Sequence, residues 1–240
     1  MRSDRRLETM HLPNSPAAML WRALRDDVRR RHPSGRVLIA VDGMDGAGKT
    51  VFADNLAIVL AEDGSAVYRA SLDDFHRPRA ARYRRGRTSP EGHYLDSYDY
   101  ATFRRVLADP FRGGGETGVG FQLRAFDLDR DVPREAEWES APRDAYLIVD
   151  GLFALRPGLR ELWDTSVWLE VPVGVATARM AARDGTDPDP GAPSNRRYRD
   201  GFALYLADHD PRGAAAVIVD NTDPAAPSRL DPRPDTEQPR

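Results

Sequence analysis

The sequence predicts an α/β domain with a parallel five-stranded sheet flanked by helices, a small hairpin insertion and an arginine-bearing lid. Three observations carry this prediction. Val37-Leu38-Ile39-Ala40-Val41 is an unbroken apolar run, the pattern of a strand buried on both faces. A helical stretch from Lys49 to about Glu62 follows, with Phe52, Leu56, Val59 and Leu60 inward, and then a short strand from Ala66 to Ala70. Strand, helix and strand in that order make a right-handed parallel crossover. Tyr146 to Val149, Val167 to Leu169 and Ala216 to Val219 supply the remaining strands.

The other elements fall around this frame. Residues 1–34 form an N-terminal helical extension, in which Ser15 caps, Pro16 opens the first turn, and Ala18, Leu20, Trp21, Leu24 and Val28 share one apolar face. The main domain runs over 35–221. From His76 to about Tyr98 no periodicity survives and arginines crowd positions 77, 79, 82, 84, 85 and 87, which predicts a long cationic loop. Asp99 to Leu107 reads as helical. Gly113, Gly114 and Gly115 lead into the alternation of Phe121, Leu123 and Ala125, which predicts a hairpin insertion over about 112–132. Helices are expected from about Val173 to Arg183 and Arg196 to Ala207, with the breaker-rich lid over about 185–200. Residues 222–240 are polar and proline-rich, the composition of a disordered tail.

Composition narrows the chemistry. With 240 residues and 40% hydrophobic content, the chain has enough apolar surface for a core. Its 35 basic and 38 acidic side chains leave a net charge of -3, without the basic excess of a nucleic-acid binder. The absence of cysteine excludes disulfides, thiolate catalysis and thiolate-ligated metals. No apolar run reaches the roughly 18 residues needed to span a bilayer, and the N-terminus lacks a signal-peptide core, so a cytoplasmic protein with no membrane partner is expected. A homo-oligomer is compatible with all of this.

Among the 35 basic residues Lys49 is the only lysine. It sits in Gly43-Met44-Asp45-Gly46-Ala47-Gly48-Lys49-Thr50, which matches the phosphate-binding pattern G-x-x-x-x-G-K-[ST] between a strand and a helix. Glycines let the backbone curl so that its amides face phosphate oxygens, and the helix N-terminus adds a favourable field. Gly43, Asp45, Gly46, Ala47, Gly48, Lys49 and Thr50 are therefore the expected ATP-binding residues, with Lys49 at the β and γ phosphates and the Thr50 hydroxyl on Mg²⁺. A compact ammonium kept in an arginine-rich chain suggests a place where a planar guanidinium does not serve.

Ligands of open parallel sheets bind beyond the carboxyl ends of the strands. Asp73 and Asp74 follow the second strand, and Asp150 ends the run from Tyr146 to Val149. Asp150 is a candidate to hold Mg²⁺ through water, and one of Asp73 and Asp74 to accept a proton from an attacking hydroxyl. Tyr94, Tyr98 and Phe126 either stack on a nucleobase or pack the hairpin. The arginine cluster, Arg82 included, either embraces a phosphorylated substrate or forms a solvated loop. His76 and His93 lack metal-like spacing.

Ser71-Leu72-Asp73-Asp74-Phe75-His76 resembles the segment after the second strand in the uridine kinase and phosphoribulokinase group, where Asp, a variable residue, Phe, and Tyr or His recur. The wider order, with the phosphate loop, the patch of Tyr94, Asp96, Tyr98 and Asp99, a hairpin ending Phe126-Asp127-Leu128, and Ile148-Val149-Asp150-Gly151, is similar to uridine-cytidine kinases over roughly residues 36 to 221. The resemblance implies an ATP- and Mg²⁺-dependent kinase acting on a small, nucleoside-like acceptor. It implies that Asp73 is catalytic base and helps organise Mg²⁺, with Asp74 in the variable place. Asp96 matches the acid that binds ribose hydroxyls, with Asp99 as the alternative register. Arg179 and Arg183, and Arg196 or Arg197, match arginines that close over phosphates. Two positions depart from the family pattern: Asp131 stands near where a base-reading His is expected, and Asp150 replaces a common Glu. The text GMDGAGKT also resembles thymidylate kinases, although their later Asp-Arg-aromatic stretch is missing. Phosphoribulokinase- and pantothenate-like acceptors stay open. From another class, a nucleotide-dependent switch acting on a protein partner is an alternative. A GTPase is excluded, because Asn-Lys-x-Asp needs a second lysine.

Overall fold

The apolar runs become strands and the periodic stretches helices. In the computed structural model, which describes residues 11–113 and 120–230, helix α1 (Pro16–Arg31) precedes strand β1 (Arg36–Gly43) and helix α2 (Lys49–Ala61), followed by β2 (Ala66–Ser71). Short helices α3 (Arg79–Arg82), α4 (Pro90–Asp96), α5 (Tyr100–Phe103) and α6 (Asp109–Gly113) come next, the last two joined by a π segment. A small hairpin of β3 (Phe126–Asp127) and β4 (Val132–Pro133) leads to β5 (Ala145–Asp150) and β6 (Thr165–Glu170). Helices α7 (Val173–Asp184), α8 (Arg196–Asp208) and α9 (Pro211–Ala214) precede β7 (Val217–Asp220) and β8 (Ser228–Leu230).

The sheet order is β2-β5-β1-β6-β7-β8. Its first five strands are parallel, and β8 runs antiparallel to β7 at the edge. Alternation along β1 divides the core. Val37, Ile39 and Val41 face α2 and α1, where Trp21 meets Phe52 edge-on at 5.8 Å, while Leu38 and Ala40 face Phe75, Phe103, Phe153 and Tyr205. Connections from β1 and β6 run to opposite sides of the sheet, so the crevice between their carboxyl ends is the topological switch point.

Three sequence expectations change. The arginine-rich stretch is not one long loop: α3 and α4 lie within it, and Ser89 caps α4 by accepting from the Gly92 N–H, with Pro90 in the first turn. Elements this short are fixed by capping and leave no periodicity to read. The hairpin pairs Phe126–Asp127 with Val132–Pro133, whereas Phe121 forms an isolated bridge to Glu139; Gly114 and Gly115 lie outside the described residues. The expected tail contributes β8, its residues 228–230 hydrogen-bonded to β7. Among the described residues no helix is long and apolar enough to cross a membrane.

Candidate phosphate-binding and acceptor site

The loop between β1 and α2 sits at the switch point. Gly43, Gly46 and Gly48 have φ of 150°, 78° and 89°. A Cβ at Gly46 would run into the Ala176 carbonyl of α7, so both the left-handed backbone and the close approach require glycine there. The Lys49 ammonium closes across the loop, donating to the carbonyls of Gly43 (3.0 Å) and Met44 (2.9 Å). Asn221, just beyond β7, braces the crest by donating from Nδ2 to the Ala47 carbonyl at 2.7 Å. This curled backbone with its ammonium has the form that could cradle phosphate oxygens.

Beside it, the Thr50 hydroxyl donates to Asp150 Oδ2 at 2.6 Å, and Arg69 donates to Asp150 Oδ1 at 2.9 Å. Asp150 is buried, held from β2 by Arg69 and from α2 by Thr50. Thr50 and Asp150 thus present adjacent hard oxygens, which fits Mg²⁺ that takes its other ligands from phosphate and water. Among the described residues no group of three or more His, Asp or Glu could hold a metal by itself.

Asp73 and Asp74 lie on the turn after β2 and part company there. The Asp73 side chain is 64% exposed and accepts at Oδ1 from the Tyr98 hydroxyl at 3.1 Å. Asp74 is tucked in beside Arg124, 3.8 Å away. Burial pushes its carboxyl up to about 6 against the pull of Arg124 and Arg134, with Asp73 and Asp150 adding to the rise. Burial raises the Tyr98 phenol, and the charges of Asp73 and Asp45 both reach it.

The remaining candidates are distributed unevenly. Asp45 lies 3.7 Å from His93 Nε2; burial would raise its carboxyl, but His93, Lys49 and Arg183 together hold it low. Arg183 is exposed, paired with Asp184, and raised by that pairing foremost, with the charges of Asp45 and Asp73 adding. Arg179 points elsewhere, donating to the carbonyls of Asn221 (3.1 Å) and Thr222 (2.8 Å) behind the loop. Arg196 pairs with Asp200, and Arg197 donates to the Arg87 carbonyl at 2.9 Å. Asp96 is buried with both oxygens taken, one by Arg84 (3.0 Å) and one by Arg85 (2.8 Å). Asp99 caps α5. Arg82 pairs with Asp131 at 3.1 Å. The rings of Tyr94, Tyr98 and Phe126 are all buried, Tyr94 against Phe153 and Tyr205.

One group escaped the sequence reading. Asp42, at the end of β1 and fully buried, accepts at Oδ2 from the Tyr205 hydroxyl (2.7 Å) and the Leu155 N–H (2.9 Å), and at Oδ1 from the Gly43 N–H (2.7 Å). Burial pushes its carboxyl up, while these donors oppose the rise. The carboxylate ties the start of the phosphate loop to α8. The available signal was an acid closing an apolar strand. Asp42→Asn replaces an acceptor oxygen with an amide that faces a donor. It is expected to cost about 2 kcal/mol, read as a fall in Tm of roughly 4 to 8 °C. An unchanged Tm contradicts this account of the network.

No protein-family model matches the chain. Over 153 residues it is 31% identical to thymidylate kinases from strains of Xanthomonas campestris pv. campestris, an alignment that takes in 60% of this chain and 61% of theirs. The chain therefore spans about three fifths of the length of these curated relatives. Its fold is similar to a possible uridine kinase from Bacillus stearothermophilus (TM-score 0.65, 21% identity, 82% of this chain and 96% of that one). A protein from Silicibacter sp. TM1040, provisionally described as a fructose transport system kinase, matches at TM-score 0.61 and 26% identity over 78% of this chain and 94% of its own. The phosphoribulokinase of Rhodobacter spheroides matches at TM-score 0.53 and 16% identity over 78% and 70%. The fold is that of the P-loop kinases of the uridine kinase and phosphoribulokinase group.

Proposed function

We propose that the protein is an ATP-dependent phosphotransferase that moves the γ-phosphoryl group to a hydroxyl of a small molecule, the favoured acceptor being a nucleoside 5′-hydroxyl. The observation that carries this reading is that Lys49, Thr50 and Asp150 gather at the adjacent tips of β1 and β5, with Asp73 on the turn after β2. The kinase fold supports the reaction class, and the residue order shared with uridine-cytidine kinases supports the acceptor. Thymidylate-, phosphoribulokinase- and pantothenate-like acceptors are the alternatives. An ATP-using enzyme of this kind would work in the cytoplasm.

In this reading the amides of residues 43–50 seat the phosphates and Lys49 swings from its two carbonyls to the β and γ oxygens. Thr50, Asp150 and Asp73 would hold Mg²⁺, which when bound neutralises phosphate charge. Asp73 orients the acceptor hydroxyl and takes its proton as the new O–P bond forms, and the bond to the ADP oxygen breaks in line. Arg183 adds positive charge from the lid side, whereas Arg179 acts behind the loop by fixing the Asn221 brace. Asp96, Arg82, Tyr94 and Phe126 would support the acceptor side from beneath, each buried among partners of its own. Their burial makes them a support for the acceptor and not a stacking platform.

The test is ADP release from ATP and Mg²⁺ across a panel of nucleosides and small alcohols, with Lys49→Ala as blank. Release that depends on one class of acceptor is expected. Acceptor-independent hydrolysis, stimulated by a protein, would support the switch instead.

A further inference from the structure

We propose that Tyr98 is a positioning residue for Asp73, holding one carboxylate oxygen so that the other faces the acceptor hydroxyl; this rests on the reading of Asp73 as the base. An exposed aspartate turns freely about two torsions, and a base that must meet a hydroxyl in line with a phosphoryl group loses rate when it does. Asp73 is such a side chain, and Tyr98 supplies what fixes it. The phenol donates to Oδ1 at 3.1 Å, with His76 Nδ1 4.0 Å from that same oxygen, which leaves Oδ2 to the acceptor hydroxyl.

The donor itself is rigid. Tyr98 is only 3% exposed, its ring set against His76 at 4.5 Å, Tyr100 at 5.8 Å and Phe153 at 6.4 Å. The backbone of 97–99 is also strapped to the turn that carries Asp73. His76 and Tyr98 form an antiparallel bridge, the Arg77 N–H donates to the Ser97 carbonyl at 2.9 Å, and the Asp99 N–H donates to the Phe75 carbonyl at 2.8 Å. The backbones that carry the hydroxyl and the carboxylate are therefore fastened to each other. A ring buried this far offers no face to a substrate, but its hydroxyl, like those of most buried tyrosines, needs a polar partner and finds it in Asp73.

Tyr98→Phe keeps every ring contact and removes only the O–H. The expected result is a fall in kcat of about ten- to a hundredfold, with KM for ATP and for the acceptor within about twofold of wild type. In an Asp73→Asn background the same substitution is expected to add nothing further. Wild-type kcat in Tyr98→Phe overturns the proposal. So does a raised acceptor KM at unchanged kcat, which marks a substrate contact, or an equal fall in the Asp73→Asn background, which marks a role independent of Asp73. Failure of the functional reading looks different: wild-type protein then shows no acceptor-dependent transfer at all, and this inference falls with it.

Discussion

Lys49→Ala is expected to lower acceptor-dependent turnover by about a thousandfold or more while the protein stays folded. The transferring phosphoryl group spreads negative charge over its oxygens, and Lys49 is the only cation built into the loop that would cradle them. Its removal from the fold itself is mild. Nζ bonds only to the Gly43 and Met44 carbonyls, both on the loop, and losing such bonds costs on the order of 1 kcal/mol each. Steady-state kinetics with a thermal melt separates the two effects. Lys49→Arg is the sharper companion, since guanidinium is the cation this chain uses everywhere else. The space bounded by two backbone carbonyls suits a compact ammonium, so the arginine variant is expected to stay at least a hundredfold below wild type. Near-normal turnover in either variant contradicts the assignment.

Asp73→Asn is expected to reduce kcat by about a hundred- to ten-thousandfold with KM for ATP changed less than about threefold. The amide keeps the size and can still meet the Tyr98 hydroxyl, but it cannot accept a proton. Asp74 provides the control. It is half-buried beside Arg124 and its carboxyl is pushed up to about 6, whereas Asp73 is the more exposed of the two. If Asp73→Asn retains its kcat and Asp74→Asn loses it, the base is Asp74 and the geometry argument above is wrong.

How much of this was legible beforehand depended on the distance over which each feature is determined. β1 and its phosphate loop were readable because a doubly buried strand and a glycine-dependent turn write their requirements into consecutive residues. β5 and α7 announced themselves in the same way. β8 did not: three residues on a sheet edge need only a neighbour's backbone, and Ser228-Arg229-Leu230 carries no pattern of its own. The arginine-rich stretch misled because its order comes from a single cap at Ser89 and from ion pairs with acids far along the chain, such as Arg82 with Asp131. Arg179 was placed on the right helix by position, yet its target, the turn at Asn221, is set by where β7 ends. The Asp42–Tyr205 link joins residues 163 apart in sequence, and no local window contains both.

In the proposed reaction, phosphate loop and neighbouring acids together move a phosphoryl group onto a hydroxyl. This transfer is tested most directly by following the ³¹P NMR spectrum of ATP and Mg²⁺ with the protein and the acceptor that the release panel selects. A new phosphomonoester resonance is expected to grow in step with ADP and to vanish in Lys49→Ala. Inorganic phosphate appearing at the same rate with or without the acceptor would contradict it.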